Sequence, residues 1–109
     1  MKNTRDACDI IDRLVGNDDR LRKMVEEEIV NARVAQAIYD LRNGAGLTQS
    51  QLAKLIGTTQ PVIARLEDAD YRGHSLNMLV RIAFALNKEL DVRFVDRSRR
   101  TGKRVKALP

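Results

Sequence analysis

Apolar residues recur at intervals of three and four along most of the chain, and this spacing predicts a series of α-helices. Thr4 and Gly16 bracket a first short helix. A second helical segment runs without Gly or Pro from Asn17 to Arg42, either as one long helix or as two helices joined near Glu28. Its predicted buried stripe consists of Val30, Val34, Ala37, Ile38 and Leu41.

A short helix with a strong start signal is predicted next. Thr48 is followed three residues later by Gln51, which is the capping-box pattern in which each side chain satisfies a backbone N–H at the helix start. Gly57 ends this helix, since glycine tolerates the backbone angles of a tight turn. The residues expected to point inward are Leu52, Leu55 and Ile56.

Two further helices complete the predicted bundle. One begins at Thr58 or Thr59 and runs to about Glu67, burying Val62 or Ile63 together with a leucine. The other is capped by Ser75 and ends near Asn87. Its inward face consists of Leu79, Ile82, Ala83 and Leu86.

After the last helix the pattern changes to a period of two. Leu90, Val92 and Phe94 alternate with Asp91, Arg93 and Val95. This alternation predicts one short strand over residues 90–96. A strand without a neighbour leaves its ladder groups unpaired. We therefore expect it to pair with the same strand of a second copy, which makes the chain a homodimer.

Composition restricts the class of protein. The 109 residues suit one compact domain with short extensions, and the scarcity of aromatic residues (4%) favours a helical core. No apolar run reaches the ~18 residues of a membrane helix, and the first residues do not resemble a secretory signal, so a cytoplasmic location is expected. One cysteine and one histidine exclude a Cys/His zinc site, and no metal or cofactor is expected.

The net charge of +5 is unevenly distributed. Residues 1–32 carry a small acidic excess and residues 33–89 a small basic one, whereas residues 90–109 hold seven basic and two acidic side chains. Six Lys or Arg residues between 97 and 106 form a potential phosphate-binding arm in a basic, turn-rich tail. A basic balance favours a polyanionic partner.

Residues 47–67, LTQSQLAKLIGTTQPVIARLE, combine two short helices around Gly57, which is the helix-turn-helix spacing. The segment resembles the helix-turn-helix of Cro and phage-repressor proteins, with the pattern LTQxxLAxxxGxTQxxIxxLE. The similarity covers roughly residues 34–88. It implies an all-α, lambda-repressor-like bundle of about five helices that binds the major groove of a double-stranded DNA operator. The predicted organisation has four parts. An N-terminal helical extension (1–32) precedes the DNA-binding domain (33–89), which is followed by the strand (90–96) and the basic tail (97–109).

The resemblance assigns roles to individual residues. Gln49 stands where the family contacts a phosphate, and a helix N-terminus favours anions. Thr58, Thr59 and Gln60 stand at the entry of the recognition helix, where Gln can pair with adenine and, further along, Arg65 with guanine. Val62 is a candidate contact for a thymine methyl group. Pro61 disfavours helical angles at Gln60, which then acts either as a cap or as a first-turn residue.

The same resemblance implies a structural role for two charged residues. In similar repressors, residues at the positions of Arg42 and Glu67 form a partly buried ion pair that holds the first helix to the recognition helix. Nothing near Glu67 in the sequence suggests an acid–base partner. No nucleophile–base pair or phosphate-binding glycine loop is found either, so the chain is not expected to be an enzyme.

A second resemblance concerns residues 75–97. A Leu-rich helix followed by a strand is similar to the end of antitoxins of the host-inhibition-of-growth type, which neutralise a small basic toxin of RelE-like ribonuclease fold and repress their own operon. The leading hypothesis is therefore a dimeric repressor that is also an antitoxin, with the acidic residues 1–32 as the toxin-binding part. The alternatives are a stand-alone regulator without a toxin and a protein-interaction module that no longer reads DNA.

Overall fold

The structure is a computed structural model that describes Ile10, Arg13, Leu14 and residues 16–96. Four helices are described rather than the five expected: α1 (Asp19–Gly44), α2 (Gln49–Ile56), α3 (Gln60–Leu66) and α4 (Leu76–Ala85). The helix expected between Thr4 and Gly16 falls mostly outside the described residues, as do Cys8 and the basic tail 97–109. No described helix has the length and apolar character needed to cross a membrane.

One continuous helix, Asp19–Gly44, occupies the segment predicted from Asn17 to Arg42, and this decides between the two alternatives that the pattern left open. Asp18, rather than Asn17, caps it, since the Asp18 carboxylate accepts a hydrogen bond from the backbone N–H of Leu21 (3.0 Å). Arg22 is buried and donates to the carbonyl oxygen of Gly16 (2.6 Å). At the other end the chain leaves α1 through Gly46, which adopts a left-handed conformation (φ 73°).

The described chain divides into two compact units. One consists of residues 27–91, and the other of residues up to Glu26 together with those from Val92 onwards. The unit of residues 27–91 contains the core, in which Leu52, Ile63 and Ile82 are almost completely inaccessible to solvent. The other buried members of this core cluster are Ile38, Ala53, Ile56 and Leu66.

Helix α2 has the predicted ends. The side chain of Thr48 accepts from the backbone N–H of Gln51 (3.0 Å), and the side chain of Gln51 accepts from the backbone N–H of Thr48 (2.8 Å). Gly57 takes the left-handed conformation (φ 75°), and Thr58 N–H donates back to the carbonyl oxygen of Ala53 (2.8 Å). Helix α3 then packs against α2.

Three details of the predicted core are wrong. Val30, Ala37 and Leu55 were expected to face inward, but all three residues are exposed, Val30 and Leu55 by 55% and 56%. Helical spacing specifies which residues share a face, and it does not specify how far a neighbouring element covers that face. On α2 the covered positions are Leu52, Ala53 and Ile56, which leaves Leu55 at the edge.

The strand expected over residues 90–96 is absent from the structure. These residues have no regular secondary structure in the single chain, and Val92 and Phe94 are exposed instead of covering the end of the helical core, as the alternation had suggested. A strand is stabilised by ladder bonds to a neighbour, and the described part of one chain offers no second strand.

Candidate nucleic-acid interface

The predicted site residues are grouped around the first turns of α2 and α3. Gln49 and Gln60 are the first residues of these two helices. Thr59 is the N-cap of α3, with an extended backbone conformation (φ −116°, ψ 158°) and no capping hydrogen bond from its side chain. Pro61 falls in the first turn, where a missing backbone N–H costs nothing. Gln60 therefore lies inside the helix, which decides between its two expected positions.

A buried ion pair lies behind this surface, as the resemblance implied. Arg42 and Glu67 form a two-pronged contact, with Nε to Oε2 at 2.6 Å and Nη2 to Oε1 at 2.9 Å. Their side chains are only 9% and 4% exposed. Arg42 Nη1 also donates to the carbonyl oxygen of Leu47 (2.8 Å), so one guanidinium fixes both the turn before α2 and the end of α3. The hydrogen bonds to Glu67 raise the pKa of Arg42 above its ordinary value.

A chain of side-chain hydrogen bonds runs from this ion pair to the surface. Gln49 Nε2 donates to Glu67 Oε1 (3.1 Å), and Gln60 Nε2 donates to Gln49 Oε1 (2.7 Å). We call the series Arg42–Glu67–Gln49–Gln60 the polar relay. It joins the end of α1, the start of α2 and both ends of α3.

The carboxylate at the inner end sets the direction of every amide in the polar relay. An ionised Glu67 accepts hydrogen bonds only, so Gln49 must turn its NH₂ group inward and its oxygen towards Gln60. Gln60 must then use one N–H to reach Gln49. Its oxygen and its second N–H remain for the outside, and one acceptor beside one donor is the pair that adenine N6 and N7 require.

The other predicted contact residues differ in how much of them reaches the surface. Arg65 is exposed, and its guanidinium makes no hydrogen bond or ion pair within the described part of the chain. Thr59 is exposed, whereas Thr58 is only partly so. Val62 is partly buried and packs against the core cluster, so only a portion of its side chain is accessible.

Three contacts that support the site were not anticipated from the sequence. Arg81 of α4 donates to the carbonyl oxygen of Ile56, just before the turn of the motif. His74 Nε2 donates to the carbonyl oxygen of Leu66 at the end of α3 (2.7 Å). Arg72 pairs with Glu27 and Glu28, which ties the loop after α3 to α1. Each joins residues far apart in the sequence or depends on loop geometry, so neither spacing nor capping patterns could reveal it.

No group of three or more His, Cys, Asp or Glu side chains among the described residues is arranged to hold a metal ion. Glu67 is fully engaged by Arg42 and Gln49. The candidate site consists of hydrogen-bonding side chains linked to a buried ion pair.

Comparison with protein families matches residues 18–94, more than half of the chain, to a model described as a helix-turn-helix domain. The matched span includes all four helices and extends past α4 to residue 94. No curated protein and no solved structure shows significant similarity to the chain.

Proposed function

Because the chain belongs to the helix-turn-helix domain family, we propose that it is a dimeric, sequence-specific transcriptional repressor and the antitoxin of a toxin–antitoxin pair. A helix-turn-helix reads DNA by placing its second helix in the major groove. Here that helix is α3, and the contacting residues are the predicted set: Gln49, Thr58, Thr59, Gln60, Val62 and Arg65.

The observation that carries the DNA-reading part is the polar relay. A glutamine that must be ordered when it meets a base loses side-chain entropy on binding. Gln60 is already held by Gln49, which is itself held by a buried carboxylate. The oxygen and N–H that remain on Gln60 match the major-groove edge of adenine. The exposed Arg65 supplies a second contact, for which guanine is the commonest partner.

DNA reading is tested with the DNA upstream of the chain's own reading frame. We expect the protein to bind one site there with twofold symmetry, and a titration against shuffled DNA to show on the order of 10³-fold weaker binding. The affinity is measured at several salt concentrations, because phosphate contacts make both specific and non-specific binding salt-dependent. Equal affinity for operator and shuffled DNA at every salt concentration contradicts the proposal.

The antitoxin part rests on the resemblance of residues 75–97 and on the surface of the first half of α1. Leu21 and Met24 lie one turn apart there and are 41% and 54% exposed. Residues 1–32 as a whole carry a small acidic excess. Exposed apolar side chains in an acidic segment suit a small basic partner protein, which supports a toxin-binding role for residues 1–32.

Toxin binding is tested by co-expression of the full-length chain with the protein of the neighbouring reading frame. We expect a stable complex that Met24→Asp weakens and Val80→Asp does not. Val80 is the matched control because its exposure is similar to that of Met24, but it lies on α4 rather than on α1. A full-length chain that binds no neighbouring protein removes the antitoxin role. It leaves a stand-alone regulator, provided that operator binding persists.

A further inference from the structure

A pocket opens between the end of α2 and the second half of α4, within the compact unit of residues 27–91. Its volume of about 420 Å³ falls within the roughly 300–1,000 Å³ that is usual for small-molecule sites. We call it the α2–α4 pocket, and the residues that line it are Leu55, Ile56, Arg81, Phe84 and Ala85. Apart from the arginine these residues are apolar, so the walls suit a hydrocarbon body.

The walls of the pocket are accessible from solvent in the single chain. Phe84 is 85% exposed and Leu55 is 56% exposed, although both side chains are large and apolar. A ligand that covers them removes apolar surface from water, which favours binding in proportion to the area covered. The pocket therefore rewards a ligand that brings an apolar body of its own.

Arg81 is the one charged side chain among the lining residues. One N–H of its guanidinium donates to the carbonyl oxygen of Ile56, and it has no carboxylate partner in the part of the chain that the structure describes. A guanidinium carries several N–H donors, so the others are available to an acceptor that enters the pocket. The acceptor that fits a guanidinium best is a carboxylate, which can take two parallel hydrogen bonds from it.

We propose that the α2–α4 pocket binds a small organic acid with one carboxylate, held by Arg81, and an apolar body, held by Leu55 and Phe84. This inference does not depend on the proposed function. A neutral apolar molecule would cover the guanidinium without giving it a partner, which is unfavourable. An organic cation would be repelled by Arg81, and a phosphate dianion would bring two charges to apolar walls with one cation to compensate them.

The proposed site lies against the turn of the helix-turn-helix. Arg81 holds the carbonyl oxygen of Ile56, the last residue of α2, and its Nη2 is 3.7 Å from the position that a Cβ on Gly57 would take. A carboxylate paired with Arg81 would thus be held one side chain away from the turn between α2 and α3. Backbone amides of this turn should report on the ligand.

Titration of the ¹⁵N-labelled full-length chain with sodium hexanoate, followed by ¹H–¹⁵N correlation spectra at constant ionic strength, tests the inference. We expect saturable shifts of the amides of residues 55–58 and 81–85, with a dissociation constant on the order of 1–10 mM for so small a probe. The control probes are 1-hexanol and hexylammonium, which carry the same apolar chain with a different head group. 1-Hexanol should bind on the order of tenfold more weakly, because the charged hydrogen bonds to Arg81 are lost, and hexylammonium should cause no saturable shifts there.

Two substitutions separate the head group from the apolar body. Arg81→Met should reduce the affinity for hexanoate to about that for 1-hexanol. Leu55→Ala leaves Arg81 in place and should weaken hexanoate binding about threefold or more, because apolar contact is lost. Leu76→Ala is the matched control, since Leu76 is 63% exposed on α4 but does not line the pocket, and it should leave the dissociation constant within about twofold.

Circular dichroism shows whether each variant is folded. Leu55→Ala keeps the test decisive if Arg81→Met, which also loses the bond to Ile56, does not fold. The inference is overturned if hexanoate causes no saturable shifts at the α2–α4 pocket, or if the three probes bind alike. Equal effects of Leu55→Ala and Leu76→Ala on hexanoate binding also overturn it, because the acid would then bind elsewhere.

Discussion

Gln60 donates a side-chain N–H to Oε1 of Gln49 across 2.7 Å, and this contact joins the first residue of α3 to the first residue of α2. Gln49 can therefore influence how Gln60 recognises a base without contacting the base itself. Gln49 fixes the rotamer and the amide orientation of Gln60 before DNA arrives.

The first prediction is that Gln49 and Gln60 are energetically coupled in operator binding. Gln60→Ala should cost about 1–3 kcal/mol and relax the preference at one base pair per half-site. Gln49→Ala should also weaken specific binding, because Gln60 then loses its support. Once Gln60 is removed, the further cost of Gln49→Ala should shrink, giving a coupling of about 0.5–3 kcal/mol in a double-mutant cycle.

Binding titrations with the operator and with single-base variants measure this coupling. Gln36→Ala is the control, since Gln36 is an exposed glutamine on α1 that bonds only to Asp40. Strictly additive effects of the two substitutions would show that Gln49 acts on DNA independently of Gln60, for instance through a phosphate.

The second prediction concerns the stability of the ion pair at the inner end of the polar relay. Arg42→Met leaves the Glu67 carboxylate buried without its main partner, and breaking such a pair costs about 3–5 kcal/mol. Arg72→Met removes an arginine that pairs with Glu27 and Glu28 while half exposed, and exposed pairs contribute about 0–1 kcal/mol.

Urea denaturation followed by circular dichroism compares the two variants. The midpoint should fall sharply for Arg42→Met and little for Arg72→Met. Equal losses would mean that the buried pair contributes no more to stability than the exposed one.

The third prediction separates base contact from general attraction to DNA. Arg65→Ala should reduce discrimination at one position of each half-site by about 1–3 kcal/mol. Arg33→Ala removes the same charge from an exposed position on α1, so it should change the affinity for all sequences alike, if at all. Gel-shift competition between operator and point-mutated operators measures the difference. Unaltered discrimination by Arg65→Ala would place the reading surface elsewhere on α3.

The parts of the fold that were predicted correctly depend on local signals. Thr48, Gln51 and Gly57 specify the ends of α2 through contacts within a few residues, and the structure shows each of them. The Arg42–Glu67 pair came from a resemblance to known repressors, and the structure confirms it. Prediction failed where the outcome depends on a distant element. The bond between Gln49 and Gln60 spans eleven positions, and the exposure of Leu55 depends on what α4 leaves uncovered.

The fourth prediction uses two glycines to test the turn of the motif. Gly57 has φ 75°, and an added Cβ would lie 3.7 Å from Arg81 Nη2, which is an ordinary contact. The cost of Gly57→Ala therefore comes from the backbone alone and should be about 1–2 kcal/mol. Gly44 has no such φ and lies in open space at the end of α1, so Gly44→Ala should be neutral or stabilise by up to about 0.5–1 kcal/mol. Thermal denaturation shows whether each substitution raises or lowers the stability of the fold. If both lower it, the two glycines share some constraint other than a left-handed backbone.

The fifth prediction concerns residues 90–96, for which alternation predicts a strand that the single chain does not form. If the segment pairs with its counterpart in a second copy, Leu90, Val92 and Phe94 share one face of that strand, and Val95 lies on the other. Burial of the first face in the dimer should make Val92→Asp weaken self-association, whereas Val95→Asp should not. The two valines are a matched pair, since both are more than half exposed in the single chain.

Sedimentation velocity gives the dissociation constants of the dimers. Hydrogen exchange of the amides in this segment, compared at dilute and concentrated protein, reports whether ladder bonds form on association. Equal effects of the two substitutions, or amides that stay unprotected in the dimer, would rule out the paired strand.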